Sequence, residues 1–334
     1  MNHTTLLAID LAKNVFQLHC MNGHQISFRK TVRRAQLSAF TAQLPTTTIV
    51  MEACGGAHAW GRLFSSQGHT VKLIAPQFVK PFVKGNKTDR NDAEAIATAA
   101  LQPNMRFVAL KTVEQQQVLA LHRLRSAAVK ARTALSNQLR GLLLEFGIAI
   151  PTGLSHLRRA LVEYVETDAL PALLCTALVE QHQRLNGLDT DVERLTKQIT
   201  HLAQQDARCV ALMQHRGVGP LIASAFCAEV ANPRVFNNGR QVAAWLGLVP
   251  RQHSSGGKPV LLGISKRGDA YLRTLLIHGA RAAARTAPRH DDANSRWVLN
   301  VQQRRGTHKA IVALANKMAR QLWAQLAQHP LNYA

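Results

Sequence analysis

The chain has 334 residues, with 41 Lys and Arg against 19 Asp and Glu, a formal net charge of +22 with His neutral. Hydrophobic residues make up 46% and charged residues 18%, enough apolar side chain for real cores, which excludes a disordered basic tail. A folded chain this basic repels itself unless a polyanion neutralises it, so nucleic acid is the expected partner class.

Thr4–Met21 reads as two short apolar strands, LLAID and VFQLHC, joined by a turn at Ala12–Asn14, with a third strand near Gln25–Lys30. Gln36–Leu44 follows as a short helix, Thr47–Glu52 as a buried strand, Ala57–Gln67 as a helix and Thr70–Ile74 as another strand. Pro76 and Pro81 mark a loop, and from Thr88 the chain turns helical, with Thr88 or Asp89 capping the first turn. Strands first, then strands alternating with helices, predict an α/β domain over about 1–150. Val113–Phe146 is a long helix that Pro151–Gly153 breaks.

Leu178, Leu185, Leu188, Val192, Leu195, Ile199 and Leu202 then recur at spacings of 7, 3, 4, 3, 4 and 3. This seam predicts a helical spacer over 151–205, either a short coiled coil that would pair two copies or one helix of an intramolecular bundle. From Asp206 the chain, 206–334, is mainly helical, with Gly-rich joints at Arg216–Pro220, Gly247–Pro250 and Ser254–Gly257 and a last amphipathic helix at His308–Gln328. His290-Asp291-Asp292 sits in a polar loop and reads as a helix start. No apolar run approaches the roughly 18 residues needed to span a bilayer, and Met1–Leu11 lacks the pattern of a signal peptide. Five cysteines without a CxxC pair read as reduced thiols, so a cytoplasmic location is expected.

The acids are unevenly spread. Residues 1–100 hold five: Asp10, Glu52, Asp89, Asp92 and Glu94, whereas residues 230–334 hold three acids against 16 bases. Asp10 and Glu52 each end a strand, and Asp89 and Asp92, at i and i+3, share a helix face. Carboxylate oxygens suit a hard divalent ion such as Mg²⁺, and a pair of such ions can clamp a scissile phosphate. Taken singly, each acid also reads as an ordinary surface or capping carboxylate.

The words around these acids carry a resemblance. IDLAKNVFQ, VMEACGGAHAW and NKTDRNDAEAIA are similar to the DEDD, RuvC-like domain of transposases of the insertion sequence 110 family, with Lys87 and Thr88 part of the last phrase. LMQHRGVGPLIASAFCAEV, residues 212–230, has a helix-hairpin-helix pattern in which Gly217 and Gly219 would bring backbone amides, beside Arg216, to a phosphate. A plain helical hairpin with a tight turn accounts for the same glycines. Residues 243–277 resemble the family's second signature: Gly247, Leu248, Pro250 and Arg251 match its start, Ser255-Gly256 its serine-glycine pair, and Ser265, Lys266, Gly268, Leu272 and Arg273 its end.

The resemblance implies an N-terminal ribonuclease-H-like or RuvC-like domain, a helical spacer and a mainly helical transposase domain. It implies Mg²⁺ held by Asp10, Glu52, Asp89 and Asp92, and Ser255 as the nucleophile, with Ser254 as its competitor. Arg251, Lys258, Lys266, Arg267 and Arg273, with Lys87, would contact nucleic-acid phosphates, and His253 would add a phosphate contact. The implied partners are donor and target DNA, a structured guide RNA encoded by the element, and further copies of the chain as a dimer or tetramer. Two other readings remain: a metal-only nuclease in which Ser255 is incidental, and a non-catalytic nucleic-acid-binding protein.

Overall fold

Apolar alternation near the N-terminus builds an antiparallel meander of β1 (Thr5–Asp10), β2 (Val15–Asn22) and β3 (Gln25–Arg33), in a computed structural model that describes residues 5–84, 89–167, 170–255 and 258–328. Next come α1 (Arg34–Ala42), β4 (Thr48–Glu52), α2 (Ala57–Ser66), β5 (Thr70–Ile74), α3 (Pro76–Val79), α4 (Asp89–Ala100) and β6 (Phe107–Val108). The sheet order is β3-β2-β1-β4-β5-β6, with β1, β4 and β5 mutually parallel and β6 antiparallel to β5. The loop expected between Pro76 and Pro81 is instead α3 followed by a 3-10 turn at Lys80–Phe82. A proline in the first helical turn already has the required φ and loses no hydrogen bond there.

Strand alternation sorts the sheet's residues between two cores. Leu7, Ile9, Ile49, Met51 and Leu73 pack with Leu37 of α1 and with Ala57 and Phe64 of α2. On the other face Leu6, Ala8, Val50 and Ile74 pack with Ala95, Ile96 and Ala99 of α4.

Of the described residues, 5–115 and 230–237 form one compact unit, and 116–229 with 238–328 a second. Into the second unit run α5 (Val113–Glu145), α6 (Leu154–Glu166) and α7 (Ala172–Gln205). Leu135, Leu139 and Leu143 of α5, Leu157 and Leu161 of α6, and Leu178 and Leu185 of α7 share one core. Arg125 Nε donates to Thr196 Oγ1 at 2.6 Å and Arg132 Nη1 to Asp189 Oδ1 at 2.8 Å, so α5 and α7 run antiparallel. Asp189 also pairs with Arg158 of α6. Leu178, Leu185, Val192, Leu195 and Ile199 of the heptad seam are thus buried within a single chain.

The chain continues through α8 (Ala207–Met213), α9 (Pro220–Val230), α10 (Gly239–Trp245), β7 (Pro250–Ser255), β8 (Lys258–Ile264), α11 (Ala270–Thr286), α12 (Ala293–Arg305) and α13 (Thr307–Gln328). The mainly helical expectation for this region needs one correction. Of the joint expected at Ser254–Gly257, Ser254 and Ser255 belong to β7, which pairs antiparallel with β8 as a two-stranded ribbon, and Gly256 and Gly257 lie outside the described residues. Asp292 does start a helix: its side chain caps α12 by accepting from the amides of Asn294 and Ser295. Among the described residues, no helix is long and apolar enough to cross a membrane.

Candidate functional site

Parallel pairing fixes the first two acids. The register of β1 with β4 runs from Leu6 opposite Thr48 to Ile9 opposite Met51, one residue before Asp10 and Glu52. Both carboxylates therefore end adjacent strands. By alternation with Ala8 and Val50 they fall on the face that α4 covers. The Cys54 thiol near them is pushed up, first by burial and then by the negative charge of Glu52 and of Asp10.

The helix supplies the rest. Asp89 is the first residue of α4 and the half-buried Asp92 lies one turn further, just before Ala93, which is 1% exposed. Small residues at Ala93, Ala95, Ala97 and Ala99 let α4 lie close on β1, β2 and β4. Three acids thus belong to one sheet face and the helix on it. The side chain of Asp89 and the whole of Lys87 and Thr88 lie outside the described residues. Among the described residues, no cluster of three or more His, Cys, Asp or Glu side chains is already gathered around one metal position.

The serine belongs to the second unit. Ser255 ends β7 and pairs with Lys258 of β8; their side chains, and the whole of Gly256 and Gly257, lie outside the described residues. Ser254 is exposed, and its Oγ accepts from Gln252 Nε2 at 2.7 Å. Arg251, His253, Lys266 and Arg267 are exposed as well.

What holds the ribbon is a backbone-to-backbone lock. A Cβ on Gly247 would stand 2.1 Å from Arg267 O, and one on Gly268 only 1.8 Å from Trp245 O, so neither position tolerates a side chain. Both also have positive φ, +71° and +86°. The Ser265 and Lys266 amides donate to Val249 O and Gly247 O, and Arg273 Nη1 donates to Leu246 O at 2.9 Å. Arg273 therefore ties the two signature segments together from inside, a role distinct from the phosphate contact expected of it.

The glycine turn between α8 and α9 is likewise engaged within the chain. Gly217 has φ +82°, and a Cβ there would lie 2.4 Å from Gly279 O of α11, so its bareness serves close packing. Gly219 faces open space. Arg216 pairs with Asp292 at 2.7 Å and hydrogen-bonds Ser295 Oγ. Hydrogen bonds from Ser295 hold the Asp292 carboxyl down at about 2, with Arg216 adding to the effect.

One buried network had no sequence signal that singled it out. His122 of α5 is 1% exposed; its Nε2 meets Ser224 Oγ of α9 at 3.0 Å and its Nδ1 meets Tyr271 Oη of α11 at 2.9 Å. Ser224 donates its hydrogen to Pro220 O, so it accepts from His122 Nε2–H, leaving Nδ1 to accept from Tyr271. Burial, reinforced by Arg125, pushes the His122 pKa down to about 4, so the ring is neutral near pH 7.

Comparison with known proteins matches both halves of the chain. Residues 4–148 fit a family model of IS110-type DEDD transposases, described as "Transposase", and residues 209–294 fit one described as "Transposase IS116/IS110/IS902 family". A "Probable family 20 transposase" of Pseudomonas aeruginosa is 50% identical over 326 residues, covering 96% of each chain. The "Transposase for insertion sequence element IS1111A" of Coxiella burnetii is 44% identical, over 98% of this chain and 91% of its own. The "Transposase for insertion sequence element IS1328" of Yersinia enterocolitica is 40% identical over 98% of both chains.

Proposed function

The chain belongs to the IS116/IS110/IS902 family of transposases, and from that membership we propose that it cuts and rejoins the DNA strands of a mobile insertion sequence using a Mg²⁺-binding carboxylate set and a serine nucleophile. The observation that carries the metal half is the placement of Asp10 and Glu52 at the ends of adjacent parallel strands, under the helix that bears Asp89 and Asp92. The sheet order, with its antiparallel meander beside parallel strands, supports a ribonuclease-H-like reading of this unit. The donor set is all carboxylate oxygen, which fits a hard divalent cation. When bound, such an ion supplies Lewis-acid stabilisation of charge on a phosphate. Asp10 and Glu52 contribute from rigid strand ends, while α4 fixes the depth of Asp92.

Ser255 is the proposed nucleophile. Its Oγ forms a bond to phosphorus as the 3′ oxygen leaves with the proton, so the 5′ phosphate is carried on the serine until strand exchange. Arg251, Lys258 and Lys266 would neutralise the phosphate oxygens as their charge grows. Arg267 borders the same segment, and Gly219 leaves the α9 end open to a phosphate. The net charge of +22 supports a polyanionic load larger than one duplex, and an element-encoded guide RNA would supply it. We assign chemistry to 1–150 and 206–334, and take copies to associate as a dimer or tetramer through a surface other than the heptad seam of the 151–205 spacer, which packs on its own chain.

The decisive experiment incubates the protein with the element-encoded RNA, donor and target DNA and Mg²⁺ and looks for a protein–DNA adduct on a denaturing gel. Ser255→Ala should abolish adduct and recombinant together while DNA binding persists; Ser254→Ala should retain both. Asp92→Asn should abolish cleavage. Cleavage without an adduct in any variant would assign the chemistry to the carboxylates alone, and binding without cleavage under any divalent ion would leave a binding protein.

A further inference from the structure

On the α4 face of the sheet the carboxylates continue sideways into a basic, hydrogen-bonding row. Asp10 stands opposite Gln17 and Gln17 opposite Thr31; one step along, Ala8 stands opposite His19 and His19 opposite Arg29. Because Ala8 packs under α4, alternation assigns Gln17, His19, Arg29 and Thr31 to that same face. Between them and Ala93 of α4 lies a cavity of about 270 Å³. A liquid water molecule occupies about 30 Å³, so several waters, or one phosphate group, fit inside.

The donors in this cavity are arranged rather than scattered. Thr31 Oγ1 donates to Gln17 Oε1 at 2.8 Å, which orients the Gln17 amide and directs its N–H groups away from that oxygen. Arg29 Nε donates to His19 Nδ1 at 3.2 Å, and its Nη2 pairs with Glu94 Oε2 at 2.6 Å. That uses two of the five guanidinium hydrogens. Arg29 is 31% exposed and Glu94 36%, so the pair is open enough to exchange one partner for another. The charge is opposite to that of the neighbouring acids. A group that takes Glu94's place on Arg29 carries negative charge, and one that belongs beside a metal-binding carboxylate set is the next phosphate of the same strand.

We infer that the cavity bounded by β2, β3 and α4 is a backbone subsite for the DNA strand being cut, with Arg29 and Gln17 holding a phosphate near the scissile one. This rests on the transposase reading above and adds positioning residues to it. Asp10 and Thr31 are two strands apart, roughly 10 Å at about 4.8 Å per strand. A DNA strand advances about 3.4 Å per nucleotide, so the held phosphate falls within about three steps of the cut. Glu94 keeps Arg29 aimed across the cavity until DNA arrives.

The test uses the full chain with the element-encoded RNA, donor and target DNA and Mg²⁺, and donor substrates in which single phosphates near the cut are replaced by neutral methylphosphonates. One replacement within three steps should slow wild-type cleavage about 10- to 100-fold, the weight of a charge-assisted hydrogen bond. Arg29→Ala should show a similar loss in kcat/KM and no further loss at that one position, while losing normally elsewhere. Arg29→Lys, which keeps the charge and the fold, should retain part of the sensitivity, and Glu94→Gln should retain all of it. Thermal melting identifies a variant that fails to fold, in which case Arg29→Lys alone decides. Equal penalties in wild type and Arg29 variants at every position would overturn the subsite and leave the transposase reading intact. Failure of the wild type to cut any substrate would remove both.

Discussion

Acidification should loosen the second unit through His122, and the size of the effect follows from its surroundings. In the fold its pKa falls from an ordinary 6.5 to about 4, chiefly because the ring is buried and secondarily because Arg125 lies near. The unfolded chain therefore binds a proton between those values that the folded chain refuses. The contribution is complete above pH 6.5 and is lost progressively as pH falls toward 4. At about 1.4 kcal/mol per pH unit the full loss is roughly 3 kcal/mol, a large share of a typical domain's stability.

The assay is urea unfolding followed by circular dichroism from pH 7.5 down to 4.5, comparing wild type with His122→Gln. Gln can bond Ser224 and Tyr271 but does not titrate. The variant should start less stable at neutral pH, because its shape fits the ring's site imperfectly, and then lose less on acidification. The rising charge from the other histidines affects both proteins alike, so the difference isolates His122. Parallel pH profiles would refute the reasoning, since they would mean that the buried imidazole accepts its proton without cost.

Gly268→Ala should cost about 3 kcal/mol from steric conflict with Trp245 O and a positive φ, and should abolish adduct formation while leaving the first unit's circular dichroism and metal binding unchanged. Leu185→Ala, at a fully buried seam position, should lower stability in urea by about 3 kcal/mol without changing the mass by light scattering, because that seam residue packs on its own chain. Asp189→Ala leaves Arg132 and Arg158 without their shared partner and should lower the melting midpoint by the equivalent of about 2 kcal/mol, with half or more recovered in Asp189→Glu.

Apart from α3 and the two-residue β6, the strands and helices of the first unit are legible because their apolar residues face inward at regular spacing. β1, β4, β5 and α4 fall close to where LLAID, TTIVME, TVKLI and Asp89 place them. The ribbon was illegible for the opposite reason. Val260, Leu261 and Leu262 are 52%, 66% and 41% exposed, so their apolar character marks no core, and Pro, Ser and Gly around them suggest a joint. Long-range pairing was equally hidden. His122 meets Ser224 and Tyr271 across 102 and 149 positions, and nothing local in the chain announces it. Arg216 and Arg273 likewise have partners inside the fold, Asp292 and a set of backbone carbonyls, that no local pattern announces.

The second signature acquires a physical meaning once its glycines are placed. Its opening and closing phrases lie about twenty positions apart, yet Gly247 rests on the Arg267 backbone and Gly268 on the Trp245 carbonyl. Lys266, at φ +55°, is held in a left-handed conformation by the hydrogen bond its amide N–H donates to Gly247 O. Strain of this kind persists only where neighbours over-determine it. The two phrases are therefore one clasp at the base of β7 and β8, and Arg273 with Asn316, which donates to Leu248 O, fastens it to α11 and α13. A clasp of this stiffness fixes where the ribbon leaves the helices while its exposed length remains available for a partner. In the reading proposed above, that is how a serine at a strand end is presented to DNA at a defined position.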